Sequence, residues 1–484
     1  MLSTLLQPLA QLHPRLRIFG LLGSFVLHIA VLLVLALIAH QSLQLRKDGM
    51  MLTVPSMMSQ EVTEISDLQN PSVTVSNEQK SLAPTFDADV ELPNLNDVTV
   101  PTFGTPKVAA AKSAPVAEPE SNPGAQQLIT NHGAPTGGGY EGRSPQARMR
   151  LVGEEGGSQA SESAVERGLM WLAAHQRTSG GWKLDLRDAP CNGQCGNSGS
   201  KETSTGATAL ALLPFLGAGY LPTDPRYGQV VERGLYYLKN RIVMTPRGGD
   251  LQEGSMYGHG LATLALCEAY AMTRDESLRS VAQSAIDFTC HVQHEKGGWR
   301  YYPGSPGDTT VFGWQFMSLK SGQMGNLIVP SPVIEKAKGF LDSMQTRDGL
   351  YYGYLKPDKD RTPTAVGILC RMYCGWPRTD ERLRGGVDYL AKLGPSKSDM
   401  YFNYYATQVM HHHGGSQWIE WNRKLRDHLI DTQSKAGHEN GSWHYTDPHG
   451  TVGGRLYTTS MCTMILEVYY RHMPLYGEQT LQGF

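Results

Sequence analysis

The chain has almost no net charge. Its 43 lysines and arginines against 45 aspartates and glutamates leave −2 over 484 residues, and no Lys/Arg stripe runs along any expected helix. That excludes the electrostatic footprint of a nucleic-acid binder, and no nucleic-acid partner is expected. Long uncharged apolar runs are scarce as well: residues 18–39, "IFGLLGSFVLHIAVLLVLALIA", form one of 22 residues. At about 1.5 Å per residue this run makes a helix of roughly 33 Å, enough to span a bilayer. Aromatic residues are nearly missing from 48–142, where only Phe86, Phe103 and Tyr140 occur and twelve acidic side chains face Lys80, Lys107 and Lys112. Such a segment repels itself and has little to bury, which reads as a disordered tether. Cysteine is sparse too: of seven, only Cys191 and Cys195 fall outside expected helices, in the Gly-rich stretch "PCNGQCGN".

These shortages divide the chain into a short tail (1–17), a transmembrane anchor (18–39), a Pro/Ser/Thr-rich acidic linker (40–150) and a folded domain (151–484). A cleaved signal peptide is the alternative for the apolar run, although its apolar core would be shorter, about 7–15 residues. Arg15 and Arg17 before the span balance Arg46 and Lys47 after it, so the positive-inside count is a tie. The short N-terminal tail favours N-in topology, which in a bacterial cell places a single-pass protein in the inner membrane with its C-terminal domain in the periplasm. A coil of some 95 residues would hold that domain about 55 Å from the membrane.

What the folded domain has is a repeat. "ERGLMWLAAHQRTSGGW" places Gln176 at a helix end and Trp182 after a glycine turn; the pattern returns with Gln293 and Trp299, with Gln345 followed by an aromatic pair, and with Gln433 and Trp443. "VERGLYYLKNRI" and "LRGGVDYLAKLG" fill the gaps. These helices are amphipathic: Leu169, Leu172 and Ala173 lie on one stripe, Glu166, Arg167 and Gln176 on the other. Between them run six helices that open with small or hydroxyl residues and are apolar nearly all round, from "TSTGATALALLPFLGAG" to "YTTSMCTMILEVYYR". Six pairs at a period near 50 predict an all-α fold, an α/α toroid of six helical hairpins with inner-helix N-termini gathered at one mouth of a central cavity.

The R-G-x2-W-x4-Q-x4-G-W unit resembles the QW repeat of squalene-hopene and oxidosqualene cyclases. The layout is similar to the terpenoid cyclase and protein prenyltransferase superfamily, most of all to membrane-anchored bacterial prenyltransferase and squalene oxidase repeat proteins. The resemblance implies that Gln176, Trp182, Gln293, Trp299, Gln433 and Trp443 tie successive helix pairs together. It does not bring the catalytic motifs. Against D-x-D-D-T-A the nearest stretch is "DRTPTAVGIL", in which Thr362 and Pro363 take the positions of the paired acids and Asp360 stands apart; Asp308 in "GDTTVFGW" offers a single carboxylate. No D-x-C occurs, so the zinc set of the prenyltransferases is missing too.

Cys370 and Cys374 at i, i+4 have zinc-compatible spacing but read as small core residues. His411, His412 and His413 point about 100° apart and suit a helix C-terminus better than one ion. Cys191 and Cys195 read as a disulfide; two cysteines are too few for a zinc knot unless a histidine joins them. No metal and no cofactor are expected. Tyr257, His259, Trp314, Asn403, Tyr404, Tyr405 and Tyr457, near inner-helix starts, would line a cavity for an apolar or isoprenoid chain, or else pack between helices.

Within the span, Ser24 and His28 share one helix face, and ionisable groups in bilayer helices are functional by default. The pair, followed by a Pro-rich tether, resembles the anchors of TonB and TolA, which implies a proton-driven motor partner of the ExbB/ExbD or TolQ/TolR type. Two functions stand against each other: a non-catalytic binder of an apolar lipid or an envelope protein, and an isoprenoid cyclase or transferase using Asp308 or Asp360 as acid.

Overall fold

The computed structural model describes residues 139–187, 189–473 and 475–476. Residues 18–39, with Ser24 and His28, lie outside them, as does the linker up to residue 138. Among the described residues no helix is long and apolar enough to cross a membrane.

Six helices are buried on almost every side: α3 (Ser204–Gly217), α5 (Met256–Thr273), α7 (Thr309–Met324), α9 (Arg361–Tyr373), α11 (Met400–His413) and α13 (Pro448–Leu466). Each packs on the next, and α13 packs back on α3, so the six close a ring. Six amphipathic helices surround it: α2 (Gln159–Ala174), α4 (Gly228–Arg241), α6 (Glu276–His291), α8 (Ser331–Met344), α10 (Glu381–Leu393) and α12 (Gly415–Thr432). They expose one face and bury the stripe that meets the inner ring. The protein is an α/α toroid. A small hairpin, β1 (Val243–Thr245) with β2 (Gly248–Asp250), leans on α6 and has no counterpart in the sequence reading.

The inner helices run parallel. Their N-terminal ends meet at Arg361–Asp399 and at the Tyr257 hydroxyl on Thr310, and the other ends meet where Arg274 donates to the Gly325 carbonyl. Side-chain caps fix most starts: Thr203, Ser255, Asp308, Asp399 and Asp447 each accept a backbone N–H of the first turn, which leaves fewer orphan donors at the buried mouth.

The repeat has a local physical cause. Gln176 Nε2 donates to the Gly180 carbonyl (2.8 Å) and to Val230 at the head of the next outer helix (2.9 Å). Gln293 does the same with Gly297 and Val333, and Gln433 with Gly441 and Ala164. Trp182, Trp299 and Trp443 are buried and return their indole N–H to carbonyls of the outer helix just left, Leu172, Thr289 and Leu429. The Trp182 and Trp443 backbone N–H groups bond Thr208 and Thr459 of the inner helices, which accounts for hydroxyl residues there. Glycine is required in the turn: Gly297 has φ +86° and a Cβ would sit 1.8 Å from the Lys336 carbonyl oxygen. Because Ala164 belongs to the first outer helix, the Gln433 bond joins the two ends of the folded chain and shuts the ring.

Residues 139–150, read as the end of the linker, include part of a helix and pack on the ring. Helix α1 (Pro145–Glu154) is capped by Ser144, and Arg143 is buried with its guanidinium on Glu268 (2.8 Å) and on the Leu216 and Arg471 carbonyls. A composition of small polar residues hides this, because the segment is held by a few buried polar contacts and not by an apolar stripe of its own.

Candidate functional site

The chemistry-bearing residues gather at the N-terminal mouth of the inner ring. Asp308 caps α7 and is fully buried. Its Oδ1 accepts the Thr310 and Val311 N–H groups (3.0 and 2.9 Å) and the Thr310 hydroxyl (2.7 Å). Its Oδ2 has no hydrogen-bond partner among the described residues; Arg300 Nε stands 3.7 Å away. Burial raises the carboxyl above its usual range, and the caps counteract only in part. Tyr257 donates to Thr310 Oγ1 (2.7 Å), which makes a chain Tyr257–Thr310–Asp308.

Below this mouth, aromatic rings meet across the bore. Trp314 of α7 stacks on Tyr404 of α11, centroids 5.3 Å apart at 19°, and meets Tyr405 edge-on at 5.6 Å. Helix α9 stands between α7 and α11 in the ring, so these side chains span the interior. Tyr401 donates to the Thr310 carbonyl (3.0 Å) and stacks on His449 at the start of α13. The Tyr404 and Tyr405 hydroxyls, both on buried residues, and that of half-buried Tyr457 have no hydrogen-bond partner among the described residues.

Two of the expected lining residues are elsewhere. Asn403 bonds the Ser396 carbonyl and N–H (2.8 Å each) and shapes the turn before α11. His259 lies between α5 and α6: Nδ1 accepts the Leu251 N–H, and Nε2 meets Thr289 Oγ1 at 2.9 Å. Both sit at inner-helix starts, but position along a helix does not say which side faces the bore. Asp360 leaves α9 uncapped and accepts the Tyr354 N–H (3.1 Å), holding the loop before that helix. The histidine run lies in the last turn of α11, the helix C-terminus it was read to suit, and burial there pushes His412 well below the usual imidazole range and lowers His413.

His259 gives a pH prediction. Burial lowers its pKa from 6.5 to about 4. The folded state therefore binds fewer protons than the unfolded chain between these values, so this contribution is complete above pH 6.5 and is lost as pH falls through 4. The stability gap between wild type and His259→Gln will narrow by about 3 kcal/mol across that window, measured by urea unfolding. A gap independent of pH contradicts it.

Cys191 and Cys195 are free thiols, not the expected disulfide. His175, which the sequence reading used only as part of a helix, lies with them: the imidazole nitrogen and both sulfurs fall within 4.8 Å of one another, all on buried residues. The two cysteines are too few for a metal site unless a histidine joins them, and the sequence reading singles out no particular histidine for that place. A histidine sixteen residues earlier, one place before Gln176, was the available signal.

No family model matches the chain, and no curated protein sequence matches it. Among solved structures it is similar to an inactive variant of the alpha-1,6-mannanase of Salegentibacter sp. HEL1_6 in complex with alpha-1,6-mannotriose, at 12% identity and TM-score 0.47 over 64% of this chain and 99% of that one. It is also similar to the type II terpene cyclase MstE from Scytonema (13% identity, TM-score 0.43, 66% of this chain and 100% of that one). A novel alpha-amylase from Clostridium perfringens follows at 10% identity and TM-score 0.43, over 63% of this chain and 98% of that one.

Proposed function

We propose that the chain is a binding protein of the cell envelope, a toroid of QW-type repeats tethered to the inner membrane by residues 18–39 and offering its aromatic mouth to an envelope protein. The observation that carries this reading is the crossing of the bore by Trp314, Tyr401, Tyr404 and Tyr405. Those rings pack on one another across the interior, which favours a binding surface at the mouth. There, Tyr301 (38% exposed), Tyr302 (65%) and Leu355 (48%) sit in loops preceding α7 and α9, with Arg300 over the Tyr301 ring. Exposed tyrosines beside an arginine are the side chains that anchor protein interfaces. In the same reading, Ser24 and His28 couple the anchor to a motor complex of the ExbB/ExbD or TolQ/TolR type.

The test uses the full chain extracted gently from native membranes. Tyr301→Ala/Tyr302→Ala will cut recovery of its stoichiometric protein partner about tenfold or more, a loss of roughly 1.4 kcal/mol or more, with Tm unchanged. Undiminished recovery overturns the assignment of the mouth.

A second reading, an acid-dependent isoprenoid enzyme, draws on Asp308: its unpartnered Oδ2 and raised pKa are properties of a general acid. Asp308→Asn separates the two. A binder keeps its partner, whereas an enzyme loses turnover.

A further inference from the structure

We infer that His175, Cys191 and Cys195 hold a zinc ion that clasps the seam of the ring. His175 ends α2, and its ring stacks on Trp171 with centroids 3.9 Å apart. Its Nδ1 lies 2.6 Å from the Trp171 carbonyl. A carbonyl only accepts, so Nδ1 carries the proton and Nε2 presents its lone pair. That is how an imidazole is oriented for a metal, by a bond from the other nitrogen.

The lone pair faces Cys195 Sγ at 3.2 Å. The same sulfur also lies 3.1 Å from the His438 carbonyl, so one thiol proton confronts two acceptors. A cation at the imidazole and the sulfur removes that conflict. Cys191 is brought in by the turn itself: Asn192 (φ 51°) and Gly193 (φ 72°) are both left-handed, and Gln194 N–H donates to the Cys191 carbonyl. This tight reversal folds a C-x3-C segment back on itself, a spacing common among zinc ligands.

Two thiolates and an imidazole are a soft set that selects zinc over magnesium or calcium. Zinc at about 2.1 Å from nitrogen and 2.3 Å from sulfur puts donor pairs roughly 3.5 Å apart, so a set within 4.8 Å closes by movements of about 1 Å. Binding expels both thiol protons, and the ion with its two thiolates is neutral, which suits a buried position. The fourth tetrahedral place falls to water.

The location gives the ion its role. Around the cluster, the first repeat meets the last: Trp171 Nε1 donates to the His438 carbonyl (3.0 Å), Gly196 N–H to Glu439 (2.9 Å), and Arg455 N–H to the Asn197 carbonyl (2.8 Å). A toroid made from one chain has one seam between its ends, and a metal there adds its binding energy to ring closure.

The full chain in detergent, reduced, loaded with zinc and freed of excess, will carry about one zinc per molecule. Cys191→Ser/Cys195→Ser will carry less than about a tenth of that, while Cys462→Ser, buried in α13, will retain it. Cobalt substitution of the unmutated chain needs no variant to fold, and it will give tetrahedral visible bands with thiolate charge transfer. Chelation will lower Tm and speed amide exchange at 190–198 and 436–442. Wild type as poor in zinc as the double variant overturns the inference. So does an intact mass showing a Cys191–Cys195 disulfide that forms in the presence of zinc.

Discussion

Arg471→Met will lower the free energy of unfolding by about 3–5 kcal/mol, because it leaves buried Glu268 with only one of its two guanidinium partners and takes the ion-pair partner from buried Glu467. Arg471 is fully buried at the end of the bore opposite the mouth, following α13. Its Nη2 donates to both oxygens of Glu268 (3.1 Å each), and Nη1 reaches the Leu213 carbonyl (2.5 Å) and Glu467 (3.3 Å). Arg143 bonds the same Glu268, and the two guanidinium groups hold that carboxyl below its usual range despite burial. Methionine keeps much of the volume and removes the charge, so the loss reads the weakened pairing of Glu268, which retains Arg143, and not a cavity. Adding Glu268→Gln will recover part of it. Urea unfolding of the single and double variants checks the pair, and faster amide exchange in 139–154 locates the damage. A single-variant loss below about 1 kcal/mol contradicts the account.

Gln433→Ala will cost about 2–4 kcal/mol, clearly more than Gln293→Ala, although the two occupy the same place in the repeat. Gln293 serves two carbonyls. Gln433 also serves two, and its Oε1 accepts Arg167 Nε and Nη2 (2.9 and 2.6 Å), so alanine there leaves a half-buried guanidinium without its acceptor. The Gln433 bonds are also the ones that join the last repeat to the first. Thermal unfolding of both variants decides the matter; equal losses would mean that the seam is no different from the other repeat junctions.

The ring was legible because its two signals are local. Amphipathic against all-round apolar helices, and a glutamine four to eight residues before a glycine of positive φ, are both written within stretches of about twenty residues. All six inner and six outer helices occur in the order these patterns give. Less legible was what depends on rotation about a helix axis or on contacts between distant segments. Asn403 and Tyr404 are adjacent, yet one closes a turn and the other stacks in the bore. His175 meets Cys195 across twenty residues of irregular chain. Helix α13 begins at Pro448, nine residues before the apolar run suggests, and is kinked at Gly454 (φ 67°), whose backbone approaches Gly199 too closely for any side chain. Arg143, in a stretch read as linker, is buried against partners 73, 125 and 328 residues away. No local pattern encodes such contacts.

In the proposed function, the aromatic crossing leaves the mouth, and not the bore, to bind. Native mass spectrometry of the full chain, released gently from native membranes, tests it most directly. The protein will carry no bound polyisoprenoid, and its envelope partner will be retained in wild type and lost in Tyr301→Ala/Tyr302→Ala. A stoichiometric polyisoprenoid adduct that persists when the partner is removed would contradict it, placing the ligand inside the ring and the enzyme reading first.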